Sequence, residues 1–146
     1  MVKWTPGGRR LISGSSGGDF TLVDFHDSDR VIQAHQSAVR AMTWAKNGEW
    51  MVTGDQDGLM KYWNPSIRPM KEVKAHTASM RAMSFSPTDA KLATCSDDLT
   101  IKIWDFASVR EESVLKVRHA TSSLPRRHCH VTSTSLPSLP RHGHSH

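Results

Sequence analysis

At 146 residues the chain is long enough for one ordinary domain and too short for two. It carries 19 Lys plus Arg against 14 Asp plus Glu, but Arg118, Arg126, Arg127 and Arg141 lie beyond Lys116, where there are no acids, leaving 15 bases against 14 acids in residues 1–116; the overall basicity is therefore no argument that the patterned part binds nucleic acid. Cys95 and Cys129 are too few and too far apart for a disulfide framework, and the absence of a charged-then-apolar leader or any long apolar run predicts neither a signal peptide nor a membrane span.

In chain order, Val2–Trp4, Arg10–Gly14 and Phe20–Val23 carry short apolar–polar alternation and are predicted strands. Val39–Trp44 is the next, ended by the Asn47-Gly48 turn signal. Residues 50–54 and Leu59–Trp63 follow, separated by a turn at Gln56-Asp57-Gly58, and after Pro65 and Pro69 residues 70–73 are predicted as an outer strand. Then come Met80–Phe85, a turn at Pro87-Thr88-Asp89, residues 92–95 with Cys95 as a small core residue, a turn at Asp97-Asp98, and residues 100–104. No segment has the period of a helix.

These strands form a repeat. His35 and His76 are 41 residues apart, and so are Arg40 and Arg81, Met42 and Met83, Trp44 and Phe85, Thr53 and Thr94, Asp57 and Asp98, and Trp63 and Trp104. Trp4 precedes Trp44 by 40 residues, which makes the first segment a degraded copy with Gly17 at the Asp position and Val23 at the Trp position. A period near forty with an early His, an Asp after a small-residue strand and a Trp six residues later resembles the WD40 repeat, one four-stranded blade of a β-propeller per repeat. The expectation is all-β: a propeller fragment with two complete blades and one partial blade, repeats at about 1–34, 35–75 and 76–116, followed by a low-complexity disordered tail over 117–146.

The sets His35, Thr53, Asp57, Trp63 and His76, Thr94, Asp98, Trp104 resemble the structural tetrad of such blades, a closed hydrogen-bonded chain from Asp to His to Thr to the Trp indole. A catalytic set repeated identically is the less economical reading, so no catalytic residue, cofactor or metal is expected. Arg40 and Arg81 are candidate partner or RNA contacts, with a solvated strand edge as the plainer alternative. The tail's six histidines, among them His128, His130, His142, His144 and His146, are of ligand type but lack the ordered scaffold of a zinc site.

The contexts Gly18-Asp19-Phe20-Thr21-Leu22, Gln33-Ala34-His35, Lys61-Tyr62-Trp63, Phe85-Ser86-Pro87-Thr88-Asp89 and Ile103-Trp104-Asp105-Phe106 are similar to one subfamily. It is the WD-repeat subunit of the nuclear cleavage and polyadenylation specificity factor, whose plant counterpart is the flowering-time factor FY. The resemblance implies a nuclear, non-catalytic scaffold in pre-mRNA 3′-end processing. It also implies partners among the other subunits of that complex, contact with AAUAAA-type pre-mRNA signals within it, and no membrane. The family's basic extension before the first blade has no counterpart here, and the Asp24–Arg30 loop is shortened and acidic. A generic interaction scaffold, such as a ubiquitin-ligase adaptor, is the alternative, although the Trp-Asp-x-Arg of many such adaptors is Trp104-Asp105-Phe106-Ala107 here. The resemblance covers residues 1–116, the opening blades of seven. Met1 lies where a strand should already be under way, so the natural protein is expected to start earlier; the strand pattern and the acids stop together near Lys116, so residues 117–146 are expected to be a non-native or disordered end to a truncated product.

Overall fold

The computed structural model describes residues 1–25 and 30–117. The expectations for the tail beyond Val117, and for most of the Asp24–Arg30 loop, lie outside the described residues. Twelve strands run in sequence: β1 (Val2–Trp4), β2 (Arg10–Gly14), β3 (Asp19–Asp24), β4 (Arg30–Gln33), β5 (Val39–Trp44), β6 (Met51–Asp55), β7 (Leu59–Trp63), β8 (Pro69–Lys74), β9 (Met80–Phe85), β10 (Lys91–Ser96), β11 (Thr100–Asp105) and β12 (Arg110–Lys116). They form three antiparallel four-stranded sheets, β1–β4, β5–β8 and β9–β12, each ordered as the chain runs. Among the described residues there is no helix.

The first sheet departs from the expected partial blade, because all four of its strands pair, although β1 is reduced to three residues and β4 to four. Its outer strand β4 left no trace in the sequence for a physical reason. Three of its four residues are exposed, so no alternation was required of them. The outer strand β12 is exposed from end to end.

The sheets stand side by side and bury two apolar layers between them. Ile12, Phe20 and Leu22 of the first sheet meet Val39, Met42, Met51, Trp63 and Ile67 of the second. Val52, Met60 and Tyr62 of the second meet Met80, Met83, Phe85, Leu92 and Trp104 of the third. The middle sheet thus packs on both faces, and every residue of β6 is buried. Phe20 and Trp63, each at most 1% exposed, meet with ring centroids 5.2 Å apart. Burial of one such side chain stabilises by roughly 1.5–3 kcal/mol.

Two glycines fix where each repeat hands over to the next. Gly18 and Gly58 have φ of +92° and +84°, and a Cβ on them would lie 2.3 Å from the His35 carbonyl oxygen and 2.2 Å from that of His76. Each glycine carbonyl accepts the backbone N–H of that same histidine, at 2.8 and 3.1 Å. Only glycine combines the left-handed backbone with so close an approach. The third repeat has Leu99 here, also left-handed (φ 56–64° is shared by all four non-glycine cases, 64° at Leu99), and its carbonyl accepts from Val117, which stands where a histidine would come.

Candidate functional site

The conspicuous polar residues lie inside the sheets. His35 and His76, in the loops that enter the second and third sheets, are 1% and 2% exposed, and Thr53 and Thr94 are fully buried. In the third sheet the Trp104 indole Nε1–H donates to Thr94 Oγ1 at 3.0 Å. Thr94 Oγ1 lies 2.8 Å from His76 Nε2, and His76 Nδ1 lies 2.8 Å from Asp98 Oδ2. The indole can only donate, so the threonine hydrogen goes to Nε2 and the remaining ring N–H goes to the carboxylate. The chain of four closes with a neutral, Nδ1-protonated histidine, in which each hydrogen has its own acceptor.

The second sheet repeats the arrangement with one change. Trp63 Nε1–H donates to Thr53 at 2.8 Å, and Thr53 meets His35 Nε2 at 2.7 Å. The acid on His35 Nδ1 is Asp55, at 2.9 Å, and not Asp57. Asp57 is exposed, two residues further into the turn. The reason is local. Asp55 ends β6 with one carboxylate oxygen on the histidine and the other, Oδ1, accepting the N–H of Asp57 at 2.9 Å and of Leu59 at 3.0 Å. In the third sheet Ser96 holds the register of Asp55 and can only cap, accepting the Asp98 N–H at 3.2 Å. The histidine's acid is therefore supplied from Asp98, braced by Thr100 at 2.9 Å. In the first repeat Ser15 caps the turn through the N–H of Gly17 and Asp19, both at 3.1 Å. Ser13 and Val23 stand there for Thr and Trp.

The electrostatics agree with this proton arrangement. Burial holds both imidazoles below the ordinary histidine value, only partly offset by Asp55 and Asp98. Burial pushes the Asp98 carboxyl up, but the Thr100 hydroxyl and His76 outweigh it and hold it below the usual carboxylate range. The polar side-chain atoms of each chain are thus all hydrogen-bonded, within the chain or to the adjoining turn, and both threonines are 0% exposed.

Arg40 and Arg81 hold equivalent exposed places beside the turns but differ in charge balance. Arg81 Nε donates to Asp97 Oδ1 at 2.7 Å, and its second nitrogen bonds Oδ2. Arg40 donates to the neutral Gln56 side chain at 2.9 Å. A cation neutralised by a two-point carboxylate is spent; one held by an amide keeps its charge for a partner.

The family model described as "WD domain, G-beta repeat" matches residues 26–64 and 67–105. The chain belongs to the WD-repeat family.

Among WD-repeat relatives, "Polyadenylation factor subunit 2" of Neurospora crassa is 51% identical over 109 residues, covering 73% of this chain and 16% of the relative. The protein of that name from Gibberella zeae is 51% identical over 118 residues (80% and 19%), and that from Candida albicans 42% over 116 residues (78% and 21%). The chain therefore spans about a fifth of the length of the curated relatives it matches. Among solved structures, "Structure of U3-55K" and "Crystal structure of RRP9 WD40 repeats" each superpose with a TM-score of 0.72. They are 19% and 20% identical, cover 79% of this chain, and are covered to 38% and 37%. At that identity they speak for the WD-repeat fold alone.

Proposed function

We propose that this WD-repeat chain is a non-catalytic scaffold of the nuclear machinery that cleaves and polyadenylates pre-mRNA. The observation that carries this is the 51% identity to polyadenylation factor subunits across most of the chain. Its polar constellations support the non-catalytic half of the reading. The residues that mimic a nucleophile, base and acid are locked into two buried chains that no substrate reaches.

Its role is contact with other subunits of the complex and, within that complex, with RNA bearing an AAUAAA-type signal. Arg40 is the phosphate contact of this surface, because Gln56 leaves its charge available; Arg81, paired with Asp97, contributes little. Alone, residues 1–116 bind RNA weakly and without sequence preference, since they are nearly neutral.

Crosslinking of the tagged protein to RNA in its own cells, followed by sequencing, tests this reading. The crosslinks should gather just upstream of polyadenylation sites around AAUAAA-type hexamers, and Arg40→Glu should thin them more than Arg81→Glu. Crosslinks no denser there than in the rest of the transcript would overturn the proposal.

A further inference from the structure

At the end of β5 opposite Arg40, the junction between the first and second sheets contains an open cavity of about 540 Å³. Its walls include Leu22, Trp44 and Ile67, and Arg9 and Arg10 stand at its side. A volume of this size falls in the range of sites that hold small ligands or short peptide segments. The repeat supplies an internal comparison, because the second and third sheets meet in the same register.

At that second junction the space is filled from within the chain. Phe106 occupies the place that Pro65 holds one repeat earlier. Its ring lies 5.0 Å from Phe85, 5.6 Å from Tyr62 and 6.0 Å from Trp50, centroid to centroid. The turn beneath it, at Lys46-Asn47, receives a carboxylate: the two oxygens of Asp89 accept the N–H groups of Lys46 and Asn47, each at 2.9 Å.

At the first junction both contributions are missing together. Pro65 cannot reach where Phe106 reaches. Gly48 holds the register of Asp89, so no side chain offers a carboxylate over the equivalent Pro6-Gly7 turn. Two groups at the cavity are correspondingly left over. The Trp44 indole Nε1–H is buried without an acceptor, and a phenylalanine, Phe85, stands at its place in the next repeat. Arg10 is neutralised by Asp24 at 2.7 Å, whereas Arg9 is exposed and forms no ion pair among the described residues.

We propose that this cavity is a docking site for an extended peptide segment of a partner protein that presents an aromatic side chain next to a single carboxylate. The aromatic ring enters between Leu22, Trp44 and Ile67, as Phe106 does one junction on. The carboxylate pairs with the Arg9 guanidinium beside the Pro6-Gly7 turn, where Gly7 has a backbone N–H to offer and Pro6, unlike Lys46, has none. One free cation matches one carboxylate, whereas a nucleic-acid strand carries a phosphate at every residue.

The test is selection of random dodecapeptides displayed on phage against the 146-residue chain carried on a soluble fusion partner, with the partner alone as background. Selected peptides should share an aromatic residue adjacent to Asp or Glu. Arg9→Glu and Pro65→Phe, two exposed positions, should each weaken their binding about tenfold or more while the circular dichroism of the strands is unchanged. Pro65→Phe separates a plugged cavity from a lost charge. No enrichment over background, a consensus without an acid, equal binding by both variants, or displacement of the peptides by a labelled oligouridine would each overturn the proposal. None of these readouts depends on Arg40, polyadenylation subunits or the AAUAAA signal, so it fails or stands separately from the proposed function.

Discussion

Two aspartates, Asp55 and Asp57, lie in one turn and only one holds His35. The strict 41-residue register points to Asp57, since it matches Asp98. The network contains Asp55, since it alone both closes the turn and reaches the ring. Register is a property of the repeat and was legible in the sequence; which of two nearby carboxylates wins is a matter of side-chain reach, which no spacing records. The histidines, threonines and tryptophans had no such rival within two residues, and the structure brings all six into the two chains. Asp55→Ala should therefore cost about 1–3 kcal/mol, the penalty for orphaning a buried group, while Asp57→Ala should stay within about 0.5 kcal/mol as an exposed substitution. Thermal melts of the two variants decide this, and equal shifts would contradict the assignment. The same networks predict a pH dependence. Both histidines titrate below 6.5 when folded, so between the folded value and 6.5 the unfolded chain binds more protons. Their contribution to stability is complete above about pH 6.5 and is lost as the pH falls through the folded values. A melting temperature that rose between pH 7 and pH 5.5 would contradict a neutral, buried pair.

At the scale of elements, the turns do the joining. Inner strands were legible because they alternate against a buried layer; of the exposed outer strands, β8 was placed by its position between Pro69 and His76, whereas the four-residue β4 was not placed. The clasp from Asp89 was also hidden. Its sequence context, Pro87-Thr88-Asp89, reads as an ordinary turn, yet its left-handed backbone (φ 58°) aims the carboxylate at the preceding sheet. Asp89→Ala should remove two charge-assisted hydrogen bonds and speed amide exchange at Lys46 and Asn47 in particular, with little change within β10 and β11. Unaltered exchange at those two amides would show that the clasp is not formed. The glycines make a sharper contrast. Gly58→Ala puts a Cβ 2.2 Å from the His76 carbonyl oxygen, whereas Gly7→Ala meets nothing within 4 Å. The first should lower the melting temperature well beyond the usual surface range and the second should leave it nearly unchanged; similar melts for both would refute the hand-over role of Gly58.

For the whole molecule, large apolar side chains stay exposed on the first and third repeats: Val2 and Trp4 are 54% and 56% exposed, and Leu99 and Leu115 are 44% and 56% exposed. Open sheets with such side chains associate. Sedimentation of the 146-residue chain should show self-association that grows with concentration and is reduced by Trp4→Ser with Leu115→Lys; a monomer at all concentrations would contradict this. The fold class and the register of the repeats came from periodicity, which is physical. The place in RNA processing came from particular contexts such as Lys61-Tyr62-Trp63, which only likeness interprets. That assignment is the central claim, and affinity purification of the tagged protein from nuclei of its own cells, with mass spectrometry of what accompanies it, tests it most directly. Subunits of the cleavage and polyadenylation machinery should be the principal partners, retained by the Asp57→Ala variant and lost by Gly58→Ala as the second and third sheets part. Recovery of ubiquitin-ligase subunits in their place, or of no polyadenylation subunit above background, would contradict the account.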